Sequence, residues 1–270
     1  MSLFDRFRSQ APSTPTKSPS TPTQATMMKS LHDSDHFQAA MAETPRSQQT
    51  ALSQVADAFE ELADHLAKSS RRNNDAGSPQ QEEEDGGEEE EGEPELRLDS
   101  FCQACSLVSV LFSCLGLAFK FAETEYVAKV RDLVEASKTF ENLQNVVDVD
   151  AANGTVRTAG SHTRNLRRVR QGLDLIRGIF QQFVASDDNS LKDAATTAYA
   201  QICAPYHTWA IRTAVYAGMY TLPTREQLLV RLEESEQSAE KKMKRYIQAS
   251  LPVIQYIDRL YTSRNITLDW

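Results

Sequence analysis

Near the start of the ordinary-composition part of the chain, Leu52, Val55, Ala56, Phe59, Leu62, Ala63 and Leu66 recur at three- and four-residue intervals. That spacing places them on one face of a helix. A break over about 69–96 follows, and from Asp99 onward the pattern repeats helix after helix. An uncharged stretch, Ser100 to about Lys120, predicts a buried central helix. A second helix is predicted over about Glu123–Leu143, and a polar break falls near Ala151-Ala152-Asn153-Gly154. A long helix is then predicted over about Ser161–Ser186, ended by Asp187-Asp188-Asn189, and another over about Asp193–Met219. Leu222-Pro223 ends that one, and Thr224 with Gln227 forms a capping box for the next. The last helix spans about Ala239–Ser263, where Pro252 removes a backbone donor and predicts a kink. No stretch alternates with period two over a useful length, so the pattern predicts an all-α protein.

Composition divides the chain further. Residues 1–46 are rich in Ser, Thr, Pro and Gln and bury too little apolar surface to offset their ordering entropy, which predicts a disordered tail. Residues 47–270 read as one domain, interrupted by an acidic, solvated insertion at 69–96. The formal net charge is -9, but Glu82–Glu95 alone holds ten carboxylates; without them the chain stands at +1. The acidity is therefore local and says nothing of what the folded part binds.

The four cysteines, the lack of an apolar leader in MSLFDRFRSQ and the absence of a disulfide-like spacing predict reduced thiols in a cytoplasmic setting. The sequons at Asn153 and Asn265 would then be accidental. Ser100–Phe119 is long enough to span a bilayer, but its serines, Gln103 and Gly116 favour a buried helix. Cys102-Gln103-Ala104-Cys105 has redox-motif spacing without the surrounding strand-to-helix turn, and no further ligands with metal-site spacing stand nearby. No phosphate loop, nucleophile elbow or zinc-protease pair occurs. The sequence predicts no enzyme, no metal and no cofactor. The near-neutral remainder and the absence of aromatics interleaved with the basic residues argue against nucleic-acid binding.

In the long helix SHTRNLRRVRQGLDLIRGIFQQF, Val169, Leu173, Ile176, Phe180 and Phe183 form an apolar stripe, and Arg167, Arg170, Asp174 and Arg177 a polar face. Arg164 and Arg168, one turn apart, head a third row continued by Gly172, Leu175 and Ile179. By spacing alone the pair fits either a solvated basic helix start or cations finishing an apolar groove for a ligand with an anionic head. Glu125 and Lys129, spaced i, i+4, fit a surface ion pair. His207, beside Trp209, fits a hydrogen-bonded core histidine.

Taken together, CSLVSVLFSCLGLAFKFAETEYVAKVRDL, AGSHTRNLRRVRQGLDLI, YAQICAPYHTWAIRTAVYAGMYTLPTR and the closing LDW resemble the glycolipid transfer protein superfamily. The likeness looks closest to its plant accelerated-cell-death branch, whose members resemble carriers of ceramide-1-phosphate. It covers about 99–270, and the helix near 48–67 looks like the family's first. The resemblance implies a two-layer sandwich of about eight helices enclosing a lipid pocket. It implies a lipid head-group site at Glu125, Lys129, Arg164, Arg168 and His207. Sugar-binding members place a tryptophan where Arg168 stands, and phosphate-binding members an arginine pair like Arg164 and Arg168. The acidic position is usually aspartate; here it is Glu125, one methylene longer, so that the ceramide amide would shift or the backbone would adjust.

The expected function is intermembrane transfer or sensing of single sphingolipids, with a phosphate head such as that of ceramide-1-phosphate preferred. A lipid-dependent sensor or adaptor, motivated by the tail and insertion, and a glycosphingolipid carrier are the alternatives. Val108, Leu111, Phe112, Leu115, Phe119, Leu175 and Ile179 are candidates for the apolar pocket wall, or plain core. Trp209 and Tyr220 are candidates for transient peripheral membrane contact. A monomer is expected.

Overall fold

The computed structural model describes residues 49–75, 94–185 and 190–270. The tail at 1–46, most of the acidic insertion and the Asp187-Asp188-Asn189 break lie outside the described residues. All that follows concerns the compact unit Thr50–Trp270.

Nine α-helices and no sheet are present among the described residues: α1 (Ala51–Asp75), α2 (Leu98–Cys114), α3 (Lys120–Ala136), α4 (Leu143–Ala152), α5 (His162–Ala185), α6 (Leu191–Ile202), α7 (Trp209–Gly218), α8 (Arg225–Arg231) and α9 (Glu236–Thr262). The all-α architecture expected from the sequence is the one observed. The packing closes a ring, α1 on α9, α9 on α5, α5 on α3, α3 on α2 and α2 back on α1. Helices α1, α9, α5 and α6 follow one another as one layer. Helices α2 and α3 lie across α1 and α5 as the second, joined by α7 through a 3-10 turn at Leu117–Phe119.

Buried tyrosines fix the register between helices. Tyr246 and Tyr261 of α9 donate to the carbonyls of Leu173 (3.1 Å) and Thr163 (2.6 Å) on α5. Tyr126 of α3 donates to the Cys105 carbonyl of α2 at 3.0 Å. Each such bond contributes about 0.5–1.5 kcal/mol, and losing one partner would leave a costlier orphan. The face of α5 read as polar is an ion-pair seam against α9: Arg170 pairs with Asp174 at 2.7 Å and with Asp258 at 2.5 Å, and Arg177 with Asp174 at 2.9 Å.

Several elements differ from the periodicity reading. Helix α1 runs on to Asp75, past the predicted break at Ser69, whose neighbour Ser70 satisfies its hydroxyl on the Leu66 carbonyl at 3.1 Å. The central apolar helix stops at Cys114, because Gly116 adopts φ 85°, a left-handed conformation that glycine alone takes cheaply. The predicted second helix ends at Ala136, and a separate α4 follows. Asn142 starts it with a reciprocal capping box to Asn145. The predicted 193–219 helix is three pieces, broken at Ala204–Tyr206 by Pro205 and restarted by Thr208, which caps α7 by accepting from the Ile211 N–H. Pro252 sits inside α9, which continues as one helix to Thr262.

Candidate functional site

The site is built on α3 and α5. Asp132 on α3 accepts from Asn165 Nδ2 at 2.8 Å and meets His162 Nδ1 at 2.7 Å. Six residues earlier, the Tyr126 ring lies where a Cβ on Gly172 would come within 2.6 Å. The two pairings make α3 and α5 antiparallel and put Lys129, halfway along, at the level of Arg168. Glu125 Oε2 lies 3.7 Å from Lys129 Nζ, more than half exposed.

The start of α5 is held firmly. Ser161 accepts from the Arg164 N–H at 3.2 Å, and Asp150 from the Thr163 N–H at 2.8 Å. Burial pushes the Asp150 carboxyl up, but the hydrogen bonds from Thr155 and Thr163 outweigh it and hold the group below its usual range. A carboxylate there also complements the helix N-terminus. With that turn fixed, Arg164 and Arg168 project as a pair.

Neither arginine is neutralised by a carboxylate among the described residues. Arg164 Nη1 donates to the Arg157 carbonyl at 3.4 Å, and Arg168 Nη1 to Gln171 Oε1 at 2.7 Å; both acceptors are neutral. Burial, then the charges of Arg164 and Arg167, pull the Arg168 pKa down. Positive charge is thus concentrated at the head of an apolar helix row, an arrangement that favours an anionic guest.

His207 joins from the α6–α7 junction. Its Nδ1 lies 2.8 Å from the Tyr199 hydroxyl, and burial and then the charge of Arg168 hold its pKa below the usual histidine value. The closing residues lie alongside: Arg157 contacts Thr267 and Asp269 (2.5 and 2.9 Å) and stacks on Trp270, and Arg167 donates to the Leu268 carbonyl at 3.0 Å.

Arg164, Arg168 and His207 are thus close enough to feel one another's charge, and the helix register sets Lys129, with Glu125 one turn before it, alongside on α3. Arg167 departs from the polar-face reading: it is 2 % exposed and turned inward beneath Tyr206. Tyr199 and the closing Leu268-Asp269-Trp270 lay within the motifs that carry the resemblance, but neither was singled out as a site residue.

The seven pocket-wall candidates, Val108, Leu111, Phe112, Leu115, Phe119, Leu175 and Ile179, are all buried in the core. Phe112 stacks on Tyr126 at 5.0 Å and approaches Phe119 at 6.4 Å. A recess of about 380 Å³ is lined by Ala204, Trp209, Arg212 and Tyr216 among others, and none of the seven lines it. All seven pack within the hydrophobic core, as apolar side chains do whenever they can meet one another.

The four cysteines are buried and free; burial pushes Cys102 and Cys203 up to about 12, which leaves both as unreactive thiols. Among the described residues no cluster of three metal-ligating side chains forms, and no helix is long and apolar enough to cross a membrane. Leu117, Phe121, Trp209 and Tyr220 are each more than 60 % exposed, with Lys192 Nζ over the Tyr220 ring at 3.8 Å.

Comparison with known proteins decides the family. Residues 96–234 match the family described as glycolipid transfer protein (GLTP). The chain belongs to the GLTP family. It is 61 % identical over 238 residues to the ACD11 homolog protein of Arabidopsis thaliana, covering 88 % of this chain and 96 % of that one. It is 54 % identical over 178 residues to Arabidopsis accelerated cell death 11, covering 66 % of this chain and 86 % of that one. Among solved structures, an aspartate-to-asparagine mutant of Arabidopsis ACD11 complexed with C12 ceramide-1-phosphate superposes with a TM-score of 0.71 at 45 % identity, over 83 % of this chain and 100 % of that one. This GLTP-family chain is a protein of a lipid-transfer fold, not an enzyme, and its two-layer helical architecture is the family's.

Proposed function

We propose that this chain transfers single sphingolipid molecules between membranes and prefers a phosphate head group, ceramide-1-phosphate being the type ligand. The observation that carries the reading is the pair Arg164 and Arg168, uncompensated by any carboxylate among the described residues, with Lys129 at their level and an apolar core below. A phosphomonoester carries about -1.5 to -2 charges near neutral pH, which these cations neutralise. Charge-assisted hydrogen bonds of this kind contribute about 1.5–3 kcal/mol each. The ceramide-1-phosphate seen on the related Arabidopsis protein supports the same ligand class.

In this reading His207 donates to the amide carbonyl and Glu125 accepts from the amide N–H, so neither amide group is buried unpaired. The tails enter where Phe112, Leu115, Phe119, Leu175 and Ile179 now close on one another. Each methylene sheltered contributes about 0.8 kcal/mol, which offsets the cost of parting that packing. Leu117, Phe121, Trp209 and Tyr220 give the transient contact with a membrane surface, and Lys192 adds a cation for anionic lipid. The protein works as a cytoplasmic monomer. Residues 47–270 form the lipid-binding domain, with the acidic segment after α1 as an insertion and 1–46 as a tail.

Mass spectrometry of lipid co-purifying with the full chain tests the assignment. A phosphosphingolipid is expected; a neutral glycosphingolipid as the main species would overturn the head-group preference.

A further inference from the structure

Arg167 is the one guanidinium of α5 that the fold hides without compensating. The residue is 2 % exposed. Its Nη2 donates to the Leu268 carbonyl at 3.0 Å, and its Cζ lies 5.3 Å from the centroid of the Tyr206 ring. Nε and Nη1 are buried and find no protein acceptor among the described residues. By contrast, Arg170 and Arg177 on the same helix are matched to Asp174 and Asp258, and Arg157 to Asp269.

A buried cation with idle donors is strongly disfavoured unless an opposite charge answers it. Anchoring the closing segment does not explain the charge, because a neutral amide would serve the Leu268 carbonyl equally well. Arg167 is next in sequence to Arg168 and within one turn of Arg164, so three cations crowd one end of α5. Burial first, and then the neighbouring charges of Arg164 and Arg167, lower the Arg168 pKa. A guest with a single negative charge offsets only part of that excess, whereas a dianion answers more of it.

We propose that Arg167 is a third, buried cation of the head-group site, which acts through its charge to favour a phosphomonoester dianion over a phosphodiester monoanion. This rests on the phosphosphingolipid reading above and adds the basis of discrimination within it. The residue need not touch the phosphate: in a low-dielectric surrounding a unit charge is felt over several ångströms.

The test compares wild type, Arg167→Met and Arg167→Lys in vesicle transfer of ceramide-1-phosphate and of its monomethyl ester, which has the same tails and one charge. Arg167→Met is expected to lower the preference for the free phosphate about tenfold, the order a unit charge commands at that range. Arg167→Lys is expected to keep the preference. The melting temperature of Arg167→Met without ligand should equal or exceed that of wild type, since an uncompensated charge has been removed. Inorganic phosphate should raise the melting temperature of wild type and not of Arg167→Met.

Equal loss for both lipids, together with a lower melting temperature, would show Arg167 to be an anchor for the closing segment and overturn the proposal. An unchanged preference would do the same. Should wild type move neither lipid while phosphate still protects it through Arg167, the cation site stands and the carrier reading falls. Should phosphate protect neither protein and no lipid move, both fall.

Discussion

Tyr199 and His207, eight positions apart, are joined hydroxyl to ring across the end of α6, with Tyr199 Oη 2.8 Å from His207 Nδ1. Tyr199 is nearly fully buried and braced edge-on by Tyr216, with ring centroids 5.4 Å apart. Burial raises its pKa to about 12, so the hydroxyl keeps its proton and can donate to Nδ1. When Tyr199 donates, the imidazole proton resides on Nε2, the nitrogen left for a ligand carbonyl.

Tyr199→Phe should therefore slow transfer several-fold while leaving the melting temperature nearly unchanged. Nitrogen NMR of His207 should report the Nε2–H tautomer in wild type and a mixture in the variant. The same ring sets a pH dependence. Its folded pKa is below 6.5, so as pH falls through 6.5 the unfolded chain takes up the proton first. Stability should decline from there until the folded pKa is passed, and His207→Gln should remove that part of the decline in urea titrations.

Arg168→Leu tests the head-group cations. Among the described residues the arginine has Gln171 alone as a side-chain acceptor, so the fold loses little, within about 1 kcal/mol. Ceramide-1-phosphate transfer should fall about ten- to a hundredfold, the range of one or two charge-assisted bonds. A variant that melts like wild type and transfers like wild type would remove Arg168 from the site.

Gly172→Ala tests the α3–α5 approach. The added methyl would stand 2.6 Å from the Tyr126 ring and 3.6 Å from Phe112, a buried ring unable to retreat freely. Overpacking of this kind costs about 1–3 kcal/mol. Because Lys129 is one turn beyond Tyr126 on α3, transfer should fall more than stability does. Thermal melting paired with the transfer assay reads both.

Trp209→Ala tests membrane contact. Trp209 is 74 % exposed and no residue of α7 is buried, so the fold should be indifferent. Binding to vesicles in a flotation assay should drop several-fold, while affinity for a soluble short-chain ceramide-1-phosphate stays the same. Loss of that affinity as well would place Trp209 in the ligand site.

The sequence carried the helical class, the α5 boundaries and the Thr224–Gln227 cap, and it singled out Arg164 and Arg168 as a pair one turn apart, because periodicity and ordered motifs survive without coordinates. Other features needed three dimensions. The Gly116 break hinges on a left-handed φ that composition does not reveal, and it turns Leu117 and Phe121 outward. The Asn142–Asn145 box was present in the sequence but was masked by the continuing polar-apolar pattern. Arg167 looked solvated because helical phase gives direction, whereas burial depends on Tyr206 and Leu268 arriving from remote segments. The apolar row of α2 could not be divided into wall and core, since one side chain type serves both.

The central claim is tested most directly by vesicle-to-vesicle transfer of matched labelled lipids by the wild-type chain. The account predicts rapid movement of ceramide-1-phosphate and little of glucosylceramide with the same acyl chain. Equal or faster movement of the sugar lipid, or no movement of either, would contradict it.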